Sequence, residues 1–257
     1  MNNPTETNGL DTASKSFLDA IATVIDLWHT YSPKIASTDE FSQVLLLIYQ
    51  NLMLDLIPSF QLLVPKEKFY SCSILCRSLF DITIQLQWIL SMNEEKRESA
   101  IRVFLDFDGI GKYKTGKVFH EWQKKIDPDY STRKTAITLG LDQEAIPLPL
   151  ASHENGKIDL TLFDYLSKIT HWNPRTLKDL IGINSDNHLG YTLEYPKMAF
   201  IFFLVSLDCI LTFTEIFIIH CFKIDRVVVK SKLSCIKENF TKSLTPSSDP
   251  LVSTDEA

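Results

Sequence analysis

The chain predicts an all-α fold, a multi-helix bundle, and three observations carry that reading. Apolar residues recur at three- and four-residue steps through most of the sequence, the spacing that gathers them on one face of a helix. Two stretches, near 65–90 and near 198–222, are apolar nearly all round, as suits helices in the interior of a bundle. Strand-like alternation bounded by turns is confined to isolated places, and no internal repeat is evident.

The elements follow in order. Asp11 suits an N-cap, and Phe17, Ile21, Val24, Ile25 and Trp28 line one face of a helix that ends near Ser32-Pro33. Ser37 and Glu40 make a capping-box pattern ahead of a long apolar run, Val44 to Leu63, which Pro58 is expected to kink or divide. Pro65 suits the first turn of a third helix reaching about Leu90. Asn93 opens a charged stretch, Glu94 to Lys125, whose Ile101, Phe104, Leu105, Phe119 and Trp122 fit a helix interrupted by Gly109 and Gly111. Between Asp127 and Lys157, three prolines and an Asn155-Gly156 turn signal predict a short helix and then a long surface loop. Helix resumes from Leu160 to Trp172, stops at Asn173-Pro174, and is followed by a short helical piece, Arg175 to Ile181. After a polar turn, Asn184 to Gly190, comes the most hydrophobic segment, Met198 to Phe222, and then a basic stretch, Lys223 to Lys237. Residues 11–240 read as one helical domain between disordered segments at 1–10 and 241–257.

Composition narrows the function classes. With 26 Lys+Arg against 32 Asp+Glu the net charge is −6, which argues against a protein that coats nucleic acid by bulk positive charge. The polar N-terminus lacks the pattern of a secretory signal, and the five cysteines are odd in number and mostly set in apolar runs. The expectation is a cytoplasmic protein with reduced core thiols. Cys72 and Cys76 stand one turn apart without a second Cys/His pair at zinc-site spacing, so no metal is expected. Asp106 and Asp108 are too few acids to predict a cation site. No phosphate loop, zinc-protease motif or dinucleotide fingerprint occurs, so no cofactor is expected.

Met198 to Phe222 is long enough to cross a bilayer, with a basic flank beyond it. Asp208 near its middle and Glu215 two turns on oppose that, since a central acid costs about 2.5–3.5 kcal/mol where each Leu, Ile or Phe returns about 0.3–0.6. Asp208, Thr212 and Glu215 form one polar stripe on a central bundle helix, which is the favoured reading.

Two polar sets mark candidate site residues. Arg77, Asp81 and Gln85 are spaced by four on the third helix, where a buried arginine requires a partner, and Asp81 can supply it. Asp164, Ser167, Lys168 and His171 share a face of the 160–172 helix, next to Tyr165. His171, at that helix's C-terminus, suits a cation toward phosphate or an acid/base near neutral pH, and equally suits a cap on the last carbonyls. Arg77 and Asp81 alone read more simply as a network that fixes helix register. Ser167 lacks the elbow and oxyanion hole of a hydrolase serine. The stripe of Asp208, Thr212 and Glu215 is expected to join both sets in a three-helix polar centre. Lys112, Lys114, Lys117, His120, Lys124 and Lys125, with Tyr113, Phe119 and Trp122 interleaved, suit a nucleic-acid backbone, though a solvated helix face explains them more simply.

The strings Arg77-Ser78-Leu79-Phe80-Asp81, Phe104-Leu105-Asp106-Phe107 and Tyr165-Leu166-Ser167 with His171 resemble, in order and spacing, a bacterial family of uncharacterised helical proteins. The resemblance runs from Val44 to Phe222 and implies a bundle that gathers Arg77, Asp81, Ser167 and His171. A looser similarity is to HEPN-type helical ribonucleases, many of them toxins or antiviral effectors. Their Arg and His share one motif, whereas here Arg77 and His171 come from separate helices. The enzyme expectation is an RNA- or phosphate-directed effector, similar to those ribonucleases, that acts without metal, with His171 as acid/base, Arg77 on phosphate and Asp81 or Asp164 orienting the base. The alternatives are a non-enzymatic interaction or scaffold protein, including a homodimer through an exposed helix face, and a membrane-associated protein through 198–222.

Overall fold

Helix α1 runs over Pro4–Tyr31 and lays Ala13, Phe17, Ile21, Val24 and Trp28 into the core. The structure, a computed structural model, describes residues 4–31, 35–105, 121, 123–139, 166–167, 170, 181–183, 189–191 and 194–244. Asp11 is therefore inside α1 rather than at its cap, and the segment 1–10 is helical from Pro4 onward. Two features explain the extension: a proline fits a first turn, where its missing N–H would be unpaired anyway, and Leu10 packs on the core.

Helix α2 is Glu40–Asn51, and its cap is Asp39 rather than Ser37. The Asp39 carboxylate accepts from Ser42 N at 2.7 Å and from the Ser37 hydroxyl. Burial alone would raise this carboxyl, but the bonds from Ser37 and Ser42 hold it below its ordinary value. Glu40 does not reach back as a capping box would; it lies 3.7 Å from Arg102. Asp39→Ala is expected to lower stability by about 1 kcal/mol in urea unfolding, the usual worth of a satisfied N-cap.

A π turn, Leu52–Leu56, divides α2 from α3, Ile57–Leu63. The division falls where Pro58 removes a backbone donor, as the sequence predicts. A 3₁₀ turn, Val64–Lys66, and Glu67 in the left-handed region (φ 54°) then redirect the chain. For that reason α4 spans Phe69–Ser91 and begins past Pro65. It is the buried apolar helix expected near 65–90, with Cys72, Cys76, Leu79, Phe80, Ile84, Leu86 and Ile89 inside.

Helix α5, Glu94–Leu105, follows a capping Asn93 whose side chain accepts from Lys96 N at 3.1 Å. The short helix expected after Asp127 is α6, Thr132–Thr138. Strands β1, Ile181–Ile183, and β2, Leu189–Tyr191, pair antiparallel with Ile181 opposite Tyr191 and Gly182 opposite Gly190. Ile181 is thus extended rather than the end of a helical piece. The hairpin does not change the class: the protein is an all-α bundle, with eight helices among the described residues.

Helix α7, Glu194–Phe222, is the centre of the bundle and packs against α4, α1, α8 and α2. Helix α8, Arg226–Leu244, forms where the sequence shows a basic stretch, and buries Val229, Leu233, Ile236 and Phe240 at steps of four, three and four. Its end at Leu244 carries the domain past residue 240; residues 245–257 lie outside the described residues. One aromatic knot ties five helices together. Phe17 of α1 stacks on Phe203 of α7 at 4.7 Å, meets Phe60 of α3 edge-on at 5.4 Å, and lies 6.3 Å from Phe240 of α8. Phe69 of α4 meets Phe203 at 5.7 Å.

Candidate functional site

The Arg77–Asp81 pair is the one constellation that the sequence predicts and the described residues assemble. One helical turn apart on α4, Arg77 Nε donates to Asp81 Oδ2 at 3.0 Å and Nη2 stands 3.0 Å from Oδ1. The side chains keep 14% and 36% of their exposure, so the pair sits half sunk in the bundle. Oδ1 itself is sealed from solvent and has no aligned hydrogen bond. Burial lifts the Asp81 carboxyl above its ordinary value, against the pull of the Arg77 guanidinium.

The surroundings are chemically quiet. On the side toward α7, Cys76 faces Ser206 and Cys209 faces Thr83. Burial pushes the Cys72 and Cys76 thiols up to about 12 and raises Cys209 as well, so all three stay protonated at neutral pH and lack thiolate reactivity. On the other side Trp88 donates to Asp127 at 3.4 Å and packs on Tyr130 with ring centroids 4.9 Å apart. Burial raises the Tyr130 hydroxyl, which sits beside Thr132 and Gln123 and within the field of Asp81. Among the described residues no group of three His, Cys, Asp or Glu is placed to hold a metal ion.

Among the described residues the acidic stripe of α7 turns away from the Arg77–Asp81 pair, and most of the 160–172 helix lies outside them. Asp208 pairs with Lys237 at 2.8 Å, and Glu215 with Arg226 at 2.8 Å and Lys230 at 4.0 Å, all three cations on α8. Asp208 and Glu215 therefore secure α8, while α7 meets α4 through Ser206 and Cys209, which lie round its surface from Asp208. Helical rotation decides this: neighbouring residues point about 100° apart, so one helix presents different groups to different neighbours.

Ser167 lies half-buried on a helical turn beside the fully buried Leu166, with Thr170 Oγ1 donating to the carbonyls of both residues at 3.0 and 3.1 Å. His171, Tyr165, Asp164 and Lys168 lie outside the described residues, as do Asp106, Asp108 and the basic segment from Lys112 to His120. Lys124 and Lys125 are exposed.

Four features escape the sequence reading. Thr214, not Thr212, is the buried threonine of α7, and it accepts the Trp28 indole N–H at 3.0 Å. His220, near the end of α7, meets the Phe41 ring edge-on at 5.0 Å; burial first, and then Lys223, hold it below the ordinary imidazole range. The carbonyl of Cys221 accepts from Ala36 N and Ser37 N at 2.7 and 3.1 Å, tying the chain ahead of α2 to the end of α7. The fourth feature is a surface: Leu47, Leu54 and Leu62 stand 55%, 81% and 58% exposed along α2, the π turn and α3. A mainly apolar run such as Val44 to Leu63 conceals such a face, because hydrophobicity alone does not say which side is covered.

Among the described residues two segments, Glu40–Lys66 and Ala199–Phe222, are by length and composition apolar enough to cross a membrane, and the second is largely buried against the other helices. Comparisons of the chain with protein families, with curated proteins and with solved structures give no match.

Proposed function

We propose that the protein works by binding, as a non-enzymatic interaction or scaffold module whose polar pairs serve its own architecture. The observation that carries this reading is Leu54, 81% exposed in mid-segment and flanked by Leu47 and Leu62 at more than half exposure. Scattered single leucines on a surface need no explanation, but an aligned, charge-poor set is what a docking face consists of. The charged groups support the same reading, since Arg77 is engaged by Asp81, Asp208 by Lys237 and Glu215 by Arg226.

The competing RNA-directed reading supplies the test. Purified full-length protein, Arg77→Ala and His171→Ala are each incubated with total RNA, and each is melted. The expected result is intact RNA in every case and a lower melting temperature for Arg77→Ala. RNA cut by the parent chain and left whole by a stably folded His171→Ala would overturn the proposal.

A further inference from the structure

The exposed leucine face has a built-in symmetry. Leu47 and Leu62 lie seven and eight residues from Leu54, and the buried row Leu52, Leu56, Phe60 and Val64 runs along the other side at steps of four. The π turn takes up the extra residue that would otherwise swing the row round, so both flanking leucines stay outward with Leu54. Between Phe41 and Pro65 the single Asp, Glu, Lys or Arg is Asp55. Charge collects at the ends instead, with Asp39 and Glu40 at one and Lys66 and Lys68 around Glu67 at the other. Along the sequence Leu54 is fourteen residues from both Glu40 and Lys68, so the leucines and the end charges are centred on the same residue in the chain.

We propose that this face binds a second copy of the chain, antiparallel, about a two-fold axis at Leu54; the inference rests on the interaction reading above and names its partner. A two-fold interface uses the same patch on both copies, so the patch must complement itself after rotation. Rotation about Leu54 lays Leu54 on Leu54 and Leu47 on Leu62, and brings the acidic end of each copy to the basic end of the other. A parallel arrangement would set like ends together. Glu40 remains reachable, since it and its neighbour Arg102 keep 51% and 63% of their side-chain exposure. Exposed Gln43, Gln50, Asn51 and Gln61 interrupt the leucines with uncharged amides, and the face carries no Lys or Arg between Phe41 and Pro65 to draw it to anionic lipid. Both facts favour a protein partner over a membrane surface.

The test uses the full chain in sedimentation velocity up to about 100 μM, circular dichroism, flotation with phosphatidylcholine/phosphatidylglycerol vesicles, and a photo-crosslinking residue at position 54. The expected mass is two chains, twice 29.4 kDa, with a crosslink between copies. Leu54→Lys is expected to shift the protein to one-chain mass with its helical circular-dichroism signal unchanged, because that side chain is already exposed within its own chain. Glu40→Lys and Lys68→Glu each weaken association by about ten-fold, as antiparallel but not parallel pairing requires, and mixing the two variants restores it. A one-chain mass for the parent, a dimer indifferent to Leu54→Lys, or Leu54-dependent flotation overturns the second-copy proposal. If the parent is monomeric and position 54 crosslinks to a different protein, the second copy is wrong and the interaction reading stands. A monomer with no crosslink at all overturns both.

Discussion

Trp28→Ala is expected to lower the unfolding free energy by about 3–5 kcal/mol, a large part of the 5–15 kcal/mol typical of a whole domain. The indole is 1% exposed and packs edge-on against Tyr49 at 5.4 Å and Phe213 at 6.0 Å. Its N–H is satisfied by Thr214 Oγ1, which in turn donates to the Ile210 carbonyl at 2.7 Å. Truncation therefore leaves a cavity where α1, α2 and α7 meet. Thr214→Val keeps the shape and removes the acceptor, leaving a buried donor unpaired, and is expected to cost about 1–3 kcal/mol. Urea unfolding monitored by circular dichroism measures both. A loss under about 1 kcal/mol for Trp28→Ala would contradict the packing described above.

Arg77→Ala is the second large effect, about 1–3 kcal/mol near neutral pH. That lies below the 3–5 kcal/mol of a sealed pair because the Asp81 side chain keeps 36% exposure and solvent screens part of the loss. The loss should depend on pH in a definite direction. Asp81 has a folded-state pKa above its unfolded value, so the folded chain holds the proton more tightly than the unfolded one. This group's contribution to stability is greatest below the ordinary carboxyl range and declines as pH rises through the raised value. Removing Arg77 takes away the charge that pulls the pKa down, and the declining window extends further upward. Arg77→Ala should therefore cost more at about pH 7 than at about pH 4, and Asp81→Asn added to it should recover part of the loss at pH 7. Equal losses at both pH values would show that Asp81 is not the group left uncompensated.

Much of the architecture was legible in the residues. The apolar steps of Phe17, Ile21, Val24 and Trp28 marked α1, and the burial of those four side chains follows that spacing. The helix near 65–90 and the helix near 198–222 are both present and largely buried. Three boundaries were not legible, each for a local reason. Pro65 closes a 3₁₀ turn rather than opening α4, because Glu67 enters the left-handed region. Asp39 outcompetes Ser37 as the cap because its two oxygens serve Ser42 and Ser37 together. Helix α8 was obscured by lysines whose exposed positions dilute the periodicity of Val229, Leu233, Ile236 and Phe240.

Of the candidate site, the i, i+4 rule identified Arg77 with Asp81, because both ends of that contact lie on one helix. It could not identify the partners of Asp208 and Glu215, which are on α8, or that of Trp28, which is 186 residues away. The sequence by itself determined the class of fold, the helices that go inside, and the Arg77–Asp81 ion pair, which a single turn can make. Tertiary structure alone decided which face of each helix meets which neighbour, that Asp208 and Glu215 bind α8 rather than Arg77, and that a row of leucines on α2 and α3 is left uncovered. The physical reason is that periodicity records a residue's angle around its own helix axis. It does not record the rotation of that helix against the others, and contacts between helices depend on that rotation.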